Sequence, residues 1–532
     1  MIQLSAGAGL ALALRARAVR AAGPSGAGFT HGIASGEPSQ RSVLLWTRFI
    51  PDDAGDVHVG VELSESSDFG QLAGSGAAIT GPWRDHTVKI TVDGLAPGRR
   101  YFYRFVAPGG GRSLVGRTTT LPEGPVARFG IAIFSCSDFV TGFANAFRHA
   151  AEREDIDLAV HLGDYIYEMS KDFYTTLFGS LVIPGRWSVL APVGECRLLA
   201  DYRTRYALYR TDPDVQAIHA RMPMIAQWDD HELGNDAWEG GSVLSQRERA
   251  GWADRKAAAA QAYREWLPVS ETPWESYEIG SLATLLRTET RLGRSEQVLT
   301  SSLPMDEATL SGFRDTVWLD PARTMLGSEQ EAWVGREIRR STRQGTRWQI
   351  LCSGTPMGRT RMPPDAAAWR WEGQAPHVRQ WLEDAAAGAS VGLPMSFDSW
   401  GGYPAARARL LRTALDAKAN LLVLSGDTHH AWEFELREGG LRAGVEFAGP
   451  SVSSPGLEYF LRTDPEKARA FVAANDELAW CDMTRRGYMA LTLTPESAVN
   501  DWILTGRTRT RNLDLASARR TRVEPQADRI SS

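Results

Sequence analysis

Five apolar runs that stop abruptly in polar residues constrain the fold of this chain more than any other feature. Continuous apolar runs are typical of strands buried on both faces, and open α/β sheets carry their functional side chains just beyond the strand ends. Segments with a helical pattern, such as 144–153 and 252–266, lie between the runs. The pattern predicts an α/β unit over residues 127–506, with runs at 129–134, 158–162, 222–227, 348–351 and 421–424.

Residues 28–122 have a different, all-β pattern. Apolar and polar residues alternate in 57–63 and 87–92, which is typical of half-buried strands, and turn-forming residues separate these segments. The aromatic run at 101–105 follows Leu-Ala-Pro-Gly and is similar to a late strand of a sandwich domain. We therefore expect a small immunoglobulin- or fibronectin-like domain in front of the α/β unit.

The two ends of the chain are expected to lie outside the folded units. Residues 1–26 contain no acidic residue and are too short and too rich in Ala and Gly to span a membrane. They indicate an export-signal remnant, because residues 2–6 resemble the segment that follows the two arginines of a twin-arginine signal. The pair itself is absent, so we expect a truncated signal, or alternatively a disordered tail. Residues 507–532 are basic and polar, which favours a flexible tail.

Charge and cysteine content exclude several classes of protein. Lys and Arg total 59 against 64 for Asp and Glu, so the net charge of −5 argues against a dedicated nucleic-acid binder. No other apolar run approaches the length of a membrane span. Four cysteines in 532 residues do not form a disulfide framework. A disulfide between Cys352 and Cys481 is an alternative, but we expect free buried thiols at both positions and at Cys196.

Four of the predicted strands are followed by residues of the types that bind metal ions, and the first two of these strand ends are considered first. Cys136 follows the first run, although a lone cysteine is more often a small buried apolar residue. Gly163 lets the backbone turn after the second run, so that Asp164 can bridge two cations and Tyr167 can return to the same centre. A phenolate ligand suits a hard trivalent ion, whose charge lowers the phenol pKa.

The other two strand ends complete the pattern. Residues 229–236 (DDHELGND) concentrate ionisable and amide groups that would be costly to bury without a cation, and a solvated loop is the alternative. Asp427 and His429 are two apart in extended chain and point to one face. Together the four segments match the layout of a two-metal phosphoesterase, in which paired cations hold a phosphate group.

The motifs resemble those of the PhoD-type alkaline phosphatase/phosphodiesterase family, within the calcineurin-like metallophosphoesterase superfamily. The resemblance extends from about residue 29 to 502 and implies a four-layer β-sandwich flanked by helices. It rests on HGIASGEP (31–38), LWTR (45–48), SC (135–136), HLGDYIYE (161–168), WDDHELGND (228–236), SGTPM (353–357), DSWGGYPAAR (398–407), LSGDTHHAW (424–432) and EFAGPSVSSPG (446–456).

The resemblance also implies two different metal sites. The residues at the positions expected to bind Fe(III) are Cys136, Asp164, Tyr167 and His429. A Ca(II) ion would share Asp164 and add Asp427 with either Asp230 or Asn235, and the sequence does not separate these two.

Two further residues receive roles through the resemblance. His231 would act at the leaving-group oxygen as a phosphate ligand or general acid. Arg291 would either support the phosphate or form a salt bridge. The family's Leu-Asp-Thr-Arg run is Thr288-Glu289-Thr290-Arg291 here, which places the role of that acid in doubt.

The predicted function is that of an exported metal-dependent enzyme that hydrolyses phosphate monoesters, diesters or both with a metal-activated hydroxide. Expected substrates are small phosphate esters, phosphodiester polymers or phospholipid head groups, and the protein is expected to be a monomer. The segment 171–196 should shape substrate choice, and several of the 18 tryptophans should wall the metal cleft. The alternative is a non-catalytic extracytoplasmic binding module with a vestigial metal site. A serine hydrolase is disfavoured because no Gly-x-Ser-x-Gly motif lies at a strand–helix junction.

Overall fold

Two large mixed sheets form the centre of the protein. The computed structural model describes residues 28–52, 55–242, 251–298, 306–462 and 464–525. The strands in these ranges are β1 (Phe29–Gly36), β2 (Val43–Phe49), β3 (Val57–Ser64), β4 (Gly74–Thr80), β5 (Thr87–Val92), β6 (Arg100–Val106), β7 (Gly116–Thr119), β8 (Phe129–Phe134), β9 (Leu158–His161), β10 (Met224–Ala226), β11 (Glu275–Ile279), β12 (Ala283–Arg287), β13 (Trp348–Ser353), β14 (Leu421–Ser425), β15 (Ala431–Glu438), β16 (Leu441–Ala448), β17 (Leu478–Asp482), β18 (Arg486–Leu493), β19 (Ala498–Thr505) and β20 (Leu515–Val523).

Helices cover the outer faces of both sheets. Those in the described ranges are α1 (Asn145–Ala151), α2 (Lys171–Phe178), α3 (Pro184–Ser188), α4 (Leu199–Tyr209), α5 (Pro213–Arg221), α6 (Trp252–Trp266), α7 (Glu307–Phe313), α8 (Gly327–Arg343), α9 (Pro376–Ser390), α10 (Pro404–Asp416), α11 (Leu457–Leu461) and α12 (Pro465–Ala474). The expected helical segments 144–153 and 252–266 correspond to α1 and α6.

The strand orders explain why the polar strand ends meet. Within the described ranges, nine strands form a sheet in the order β20-β19-β18-β8-β9-β10-β1-β2-β5, and seven form a sheet in the order β11-β12-β13-β14-β16-β15-β17. Strands β8, β9 and β10 are parallel neighbours in the first sheet, and β13 and β14 are parallel neighbours in the second. Because parallel strands end at the same edge, the residues after them are brought together.

Three apolar layers hold the sheets and helices together. The layer between the two sheets includes Ile131, Val160, Ile350, Leu422 and Trp502. A second layer joins the nine-stranded sheet to α1, α4, α5 and α6, and a third joins the seven-stranded sheet to α8, α9, α10 and α12. The order helix, sheet, sheet, helix confirms the predicted four-layer α/β fold.

The N-terminal region is all-β, as predicted, but it shares strands with the rest of the protein. Four of its strands form a separate small sheet in the order β4-β3-β6-β7. Its remaining strands β1, β2 and β5 extend the nine-stranded sheet, and β1 pairs with β10 at Gly36 and Met224. An apolar cluster that includes Ile33, Leu45, Val61 and Tyr103 fills the space between this small sheet and strands β1, β2 and β5 of the nine-stranded sheet. The β-sandwich domain expected over 28–122 thus has its own apolar core and is also continuous with the large sheet.

The expectation of a flexible tail over 507–532 is wrong for residues 515–523. These residues form β20, which pairs with β19 in antiparallel orientation. Val523 lies opposite Ala498 at one end of the pairing, and Leu515 lies opposite Thr505 at the other. The alternation of buried and exposed side chains along β20 explains the error. Thr521 and Val523 are buried, whereas Arg520 and Arg522 are exposed. Basic side chains on an exposed edge strand protect it from pairing with other chains, and in the sequence they look like a tail.

Other expectations about the chain concern its first residues and its cysteines. The export-signal remnant expected at 1–26 lies outside the described residues. No helix in the described ranges combines the length and the apolar character that crossing a bilayer requires. Cys136, Cys196, Cys352 and Cys481 are all buried and free.

Shortening the chain tests the structural role of β20. A variant that ends at residue 512 loses the β19 pairing and leaves the buried Glu433 carboxylate without Arg519 and Thr521, its partners from β20. Since each lost hydrogen bond costs about 1 kcal/mol, we expect the free energy of unfolding to fall by at least about 3 kcal/mol. Thermal unfolding measures the change. A variant that ends at residue 525 is the control and should unfold like the full chain, whereas equal stability of both variants would contradict the role of β20.

Candidate metal centre

The residues after β8, β9, β10 and β14 converge on one buried region. Three groups of side chains have ligand atoms that all lie within 4.8 Å of one another. The groups are Cys136 with Asp164 and His429, Asp164 with Asp230 and His231, and Asp229 with Asp230 and Asp427. Asp164 belongs to the first two groups and Asp230 to the last two, so the groups form one continuous cluster.

Several of these residues have an unusual backbone conformation. The φ angles are 59° for Cys136, 56° for Asp164, 68° for Asp427 and 63° for His429, all in the left-handed region. Non-glycine residues adopt this region at an energetic cost and are concentrated at functional sites. Gly163 has a φ of 111°, and a Cβ at this position would lie 2.3 Å from Cβ of Asp229. The close approach of two strand ends therefore requires glycine before Asp164.

Hydrogen bonds order the group around Tyr167. The Tyr167 hydroxyl lies 3.2 Å from Oδ2 of Asp164 and 3.1 Å from Nε2 of His429, and it accepts a bond from Ser454 Oγ at 2.7 Å. Nδ1 of His429 lies 2.6 Å from the Pro455 carbonyl oxygen and must donate its proton there. This bond fixes the tautomer in which Nε2 carries a free lone pair, as in histidines that bind metals.

Burial makes these groups poor anions unless a cation is near. Burial raises the pKa of the Asp164 carboxyl well above its usual value, and Asp230 raises it further. Burial and then Asp164 likewise raise the pKa values of the Cys136 thiol and the Tyr167 phenol. Burial lowers the pKa of His429 to about 3, which keeps the imidazole neutral. A bound cation would reverse the cost of ionising the three acids, and so the donor set fits a metal ion.

The second group contains one carboxylate oxygen without a hydrogen-bond partner. Oδ2 of Asp230 accepts a bond from the Asp236 backbone at 2.7 Å, but Oδ1 is buried and has no hydrogen bond within the described residues. Oδ2 of Asp427 accepts a bond from Thr355 at 2.9 Å. Buried carboxylate oxygens are normally hydrogen-bonded or bound to a cation, so Asp230 Oδ1 and its neighbour Asp427 also fit a metal ion.

Asn235 is placed differently from Asp230. Its backbone N–H donates to Glu168 at 2.8 Å, and its side-chain amide donates to Asp236 at 3.0 Å. The residue lines a cavity that opens beside the cluster. The structure thus puts Asp230 inside the carboxylate cluster and Asn235 in the wall of the adjoining cavity.

His231 lies beside the cluster and is held by a buried carboxylate. Its Nδ1 is 2.8 Å from Oε2 of the fully buried Glu168, and its ring packs against the Tyr167 ring with centroids 4.2 Å apart and an interplanar angle of 34°. Burial by itself lowers the pKa of His231, but Asp230, Glu168 and Asp164 together raise it well above 6.5. With Nδ1 held by Glu168, Nε2 is the nitrogen that can give a proton to a bound ligand.

Two glutamates support the cluster and were not identified as site residues from sequence. Glu168 holds His231 and the Asn235 backbone, as described above. Glu232 accepts hydrogen bonds from the backbone N–H groups of Asp164, Tyr165 and Asp229, and so connects the second and third strand ends. Both acids lie within the motifs that supplied the ligand candidates. Their position shortly after apolar strands, where a side chain is expected to be buried, is the sequence signal that could have indicated a supporting role.

Arg291 is enclosed by carboxylates instead of facing the cavity. Its Nε and Nη2 donate to the two oxygens of Asp229 at 2.5 and 2.7 Å, and its Nη1 donates to Asp398 at 2.7 Å. Nη2 also lies 3.6 Å from oxygens of Asp230 and Asp427. Of the two roles left open for Arg291, this geometry favours the salt bridge. Asp398 was missed because no ligand-like residue accompanies it in its motif.

Glu289, the acid whose role was in doubt, shapes the loop that carries Arg291. It accepts bonds from the Trp228 indole and from the backbone N–H groups of Arg291, Leu292 and Gly293. Its side chain is therefore occupied within the loop and does not face the cluster.

The cavity beside the cluster has a volume of about 230 Å³. Its walls include Tyr167, His231, Asn235 and His429 from the cluster and aromatic residues from α2 and α11. The expectation that tryptophans wall the cleft is wrong, because no described residue that lines this cavity is a tryptophan. Trp46, Trp400 and Trp432 instead fill the apolar layers between sheets and helices. Helix α2 belongs to the segment that was expected to shape substrate choice.

The four-layer fold with clustered acids, a histidine and a thiol at its strand ends is that of a phosphoesterase. Comparison with protein families identifies it further. Residues 131–502 match the model of the PhoD-like phosphatases, and residues 14–122 match the model of the PhoD-like phosphatase N-terminal domain. The chain belongs to the PhoD-like phosphatase family.

Individual proteins support this assignment. The chain is 31% identical to alkaline phosphatase D of Bacillus subtilis (strain 168) over 501 residues, which cover 89% of this chain and 77% of that protein. A solved structure described as the structure of PhoD matches with a TM-score of 0.77 and 27% identity over 94% of this chain and 91% of that chain. The protein is accordingly an enzyme of the PhoD-like alkaline phosphatase type.

Replacing Arg291 distinguishes a structural role from a phosphate-binding role. In Arg291→Met, the buried Asp229 and Asp398 carboxylates lose their partner, and we expect the free energy of unfolding to fall by about 3–5 kcal/mol. Arg520→Met is the control, since this side chain is 73% exposed in its pair with Asp501 and should contribute less than about 1 kcal/mol. Urea unfolding measures both variants. Unchanged stability of Arg291→Met together with a raised KM would instead assign the arginine to the substrate.

Proposed function

We propose that this protein hydrolyses phosphate monoesters, diesters or both with the help of metal ions bound at the cluster, in a centre of the Fe(III) and Ca(II) type. The observation that carries the proposal is the buried Asp230 Oδ1, which has no hydrogen-bond partner among the described residues and lies within a group of carboxylates. Membership of the PhoD-like phosphatase family supports the phosphoester substrate.

We assign the ligands by their donor chemistry. Cys136, Asp164, Tyr167 and His429 would hold the Fe(III), because thiolate and phenolate donors suit a hard, highly charged ion that favours their ionised forms. Asp164, Asp427 and Asp230 would hold the Ca(II), which prefers oxygen ligands. We place Asn235 at the edge of this second site, facing the substrate.

The protein side chains would have separate tasks in the reaction. The ions, when bound, would supply Lewis acidity and lower the pKa of a water molecule. His231, with Nδ1 held by Glu168, would donate a proton from Nε2 to the leaving oxygen as the P–O bond breaks. Glu232 would keep Asp164 and Asp229 in place through their backbone N–H groups. Arg291 would act as a positioning residue for Asp229 and Asp398.

We also propose that the enzyme acts outside the cytoplasm on small phosphate esters, phosphodiester polymers or phospholipid head groups. The support is the composition of residues 1–26, which lack acidic residues, and the resemblance of residues 2–6 to the segment behind a twin-arginine pair. Fusing residues 1–26, preceded by two arginines, to a reporter that is active only after export tests this part of the proposal. An inactive reporter would contradict it.

Asp164→Ala tests the metal centre. Because Asp164 belongs to two of the three ligand groups, we expect this variant to lose both bound iron and bound calcium and to hydrolyse esters no faster than buffer alone. Metal analysis and phosphate release measure the two effects.

The Tyr167→Phe variant distinguishes the two ions, since it should lose the visible phenolate-to-iron absorption. The partly buried His149, which bonds to Tyr488 away from the cluster, supplies the control His149→Ala. A fully active Asp164→Ala enzyme would contradict the scheme.

His231→Ala tests the general acid. An acid contributes most when the leaving alcohol is a poor leaving group, so we expect kcat to fall by about a hundredfold or more for alkyl phosphates. The loss should be much smaller for p-nitrophenyl phosphate, whose phenolate leaves without a proton. Steady-state rates with both esters measure the contrast. Equal losses for the two esters would show that His231 binds the phosphate and does not protonate the leaving group.

A further inference from the structure

The cavity beside the cluster has both polar and apolar lining. Its polar lining includes Tyr167, His231 and His429 of the cluster. We call the apolar lining the apolar wall; it comes from α2, α11 and the segment before α2 and consists of Met169, Phe173, Phe178, Leu457 and Phe460. A substrate with its phosphate at the cluster would therefore place the group attached through the leaving oxygen, which faces His231, against apolar side chains.

The apolar wall is held in place by contacts between the two helices and by a buried hydrogen bond. Phe178 of α2 packs against Tyr459 and Phe460 of α11, with ring centroids 5.5 and 5.8 Å apart. The Tyr174 hydroxyl donates to Oδ1 of the buried Asp138 at 3.1 Å, which anchors α2 to the segment after β8. The wall is thus a pre-formed part of the fold.

The charges around the cavity disfavour a second anionic group inside it. No lysine or arginine is found among the described residues that line it. Its carboxylate, Asp138, is already engaged by Tyr174 and by the Val140 backbone, and the His430 ring accepts from the Leu457 backbone. An extra phosphate or carboxylate against the apolar side chains would lose its hydration without gaining a lysine or arginine partner among the described lining residues.

The volume of the cavity indicates the size of the group that it can surround. An apolar cavity of about 150 Å³ is enough for benzene in a well-studied case. The cavity here measures about 230 Å³, and the reacting phosphate must share it. The remaining space suits one aromatic ring or a short alkyl chain.

We propose that this cavity is a leaving-group subsite that selects phosphate esters of small apolar alcohols. The inference depends on the proposed function, because it assumes that the phosphate is cleaved at the cluster. The expected substrates are phosphate esters in which one phosphate is joined to an uncharged alkyl alcohol or to an alcohol with a single aromatic ring.

A series of alkyl phosphates tests the subsite directly. Ethyl, butyl and hexyl phosphate have leaving oxygens of nearly equal basicity, so differences in rate report binding of the chain. We expect kcat/KM to rise by up to about fourfold for each methylene that enters the cavity. Glycerol phosphate, with a polar leaving alcohol, should react no faster than ethyl phosphate.

Variants of the wall supply the matched comparison. Phe178→Ala should flatten the dependence of kcat/KM on chain length, as expected for loss of apolar contact. Phe178→Leu should keep most of the dependence because it preserves an apolar side chain. Phe313→Ala, on α7 and packed against Phe397 outside this cavity, is the control and should behave like the parent enzyme.

The outcomes separate this inference from the proposed function. If the enzyme hydrolyses all three alkyl phosphates at equal kcat/KM, or if Phe178→Ala keeps the dependence, the subsite is refuted while the phosphoesterase stands. If metal-loaded enzyme hydrolyses none of these esters and no aryl ester, the proposed function itself fails.

Discussion

The concentration of carboxylates in a dry interior is the constraint on which the rest of the site depends. Asp164, Asp229, Asp230, Asp398 and Asp427 are brought close together, and burial raises the pKa of Asp164 and Asp427 well above that of an exposed aspartate. Burial also raises the pKa of Asp230, but His231 and Arg291 together lower it below the ordinary value. An acid in this interior is therefore either protonated or paired with a cation, which can come from the protein or from a bound metal ion.

The protein provides cations for only part of this charge. Arg291 forms its hydrogen bonds with Asp229 and Asp398, and Arg294 adds a second contact to Asp398. Asp230 Oδ1 and the Cys136–Asp164–Tyr167 group face no such partner within hydrogen-bonding distance among the described residues. This division gives Arg291 a clear purpose. It forms its hydrogen bonds with Asp229 and Asp398 and none with Asp164, Asp230 or Asp427, the carboxylates that we propose as metal ligands.

The sequence predicted the ligand candidates better than their surroundings, for a physical reason. Cys136, Asp164 and His429 follow apolar runs, and parallel strands bring such residues together whatever the details of packing. The contacts of Arg291 with Asp398 join residues 107 positions apart, and no local pattern reports such a pairing. The error at residues 515–523 has the same origin, because an edge strand buries one face only, and its exposed arginines hide the alternation. Strand ends are local features, whereas partners and edges depend on the tertiary fold.

Chemistry and selectivity come from different parts of the chain. The cluster is built from residues at strand ends, where left-handed backbone conformations and the close approach at Gly163 leave little freedom to vary. The apolar wall comes from α2 and α11, which contact each other through Phe178, Tyr459 and Phe460. Phe173 and Phe178 of α2 and Phe460 of α11 have side chains without polar atoms, so these residues can change without removing a hydrogen bond from a carboxylate. A fold of this kind can keep one reaction centre and alter the alcohol that it accepts by changing a few side chains on two short helices.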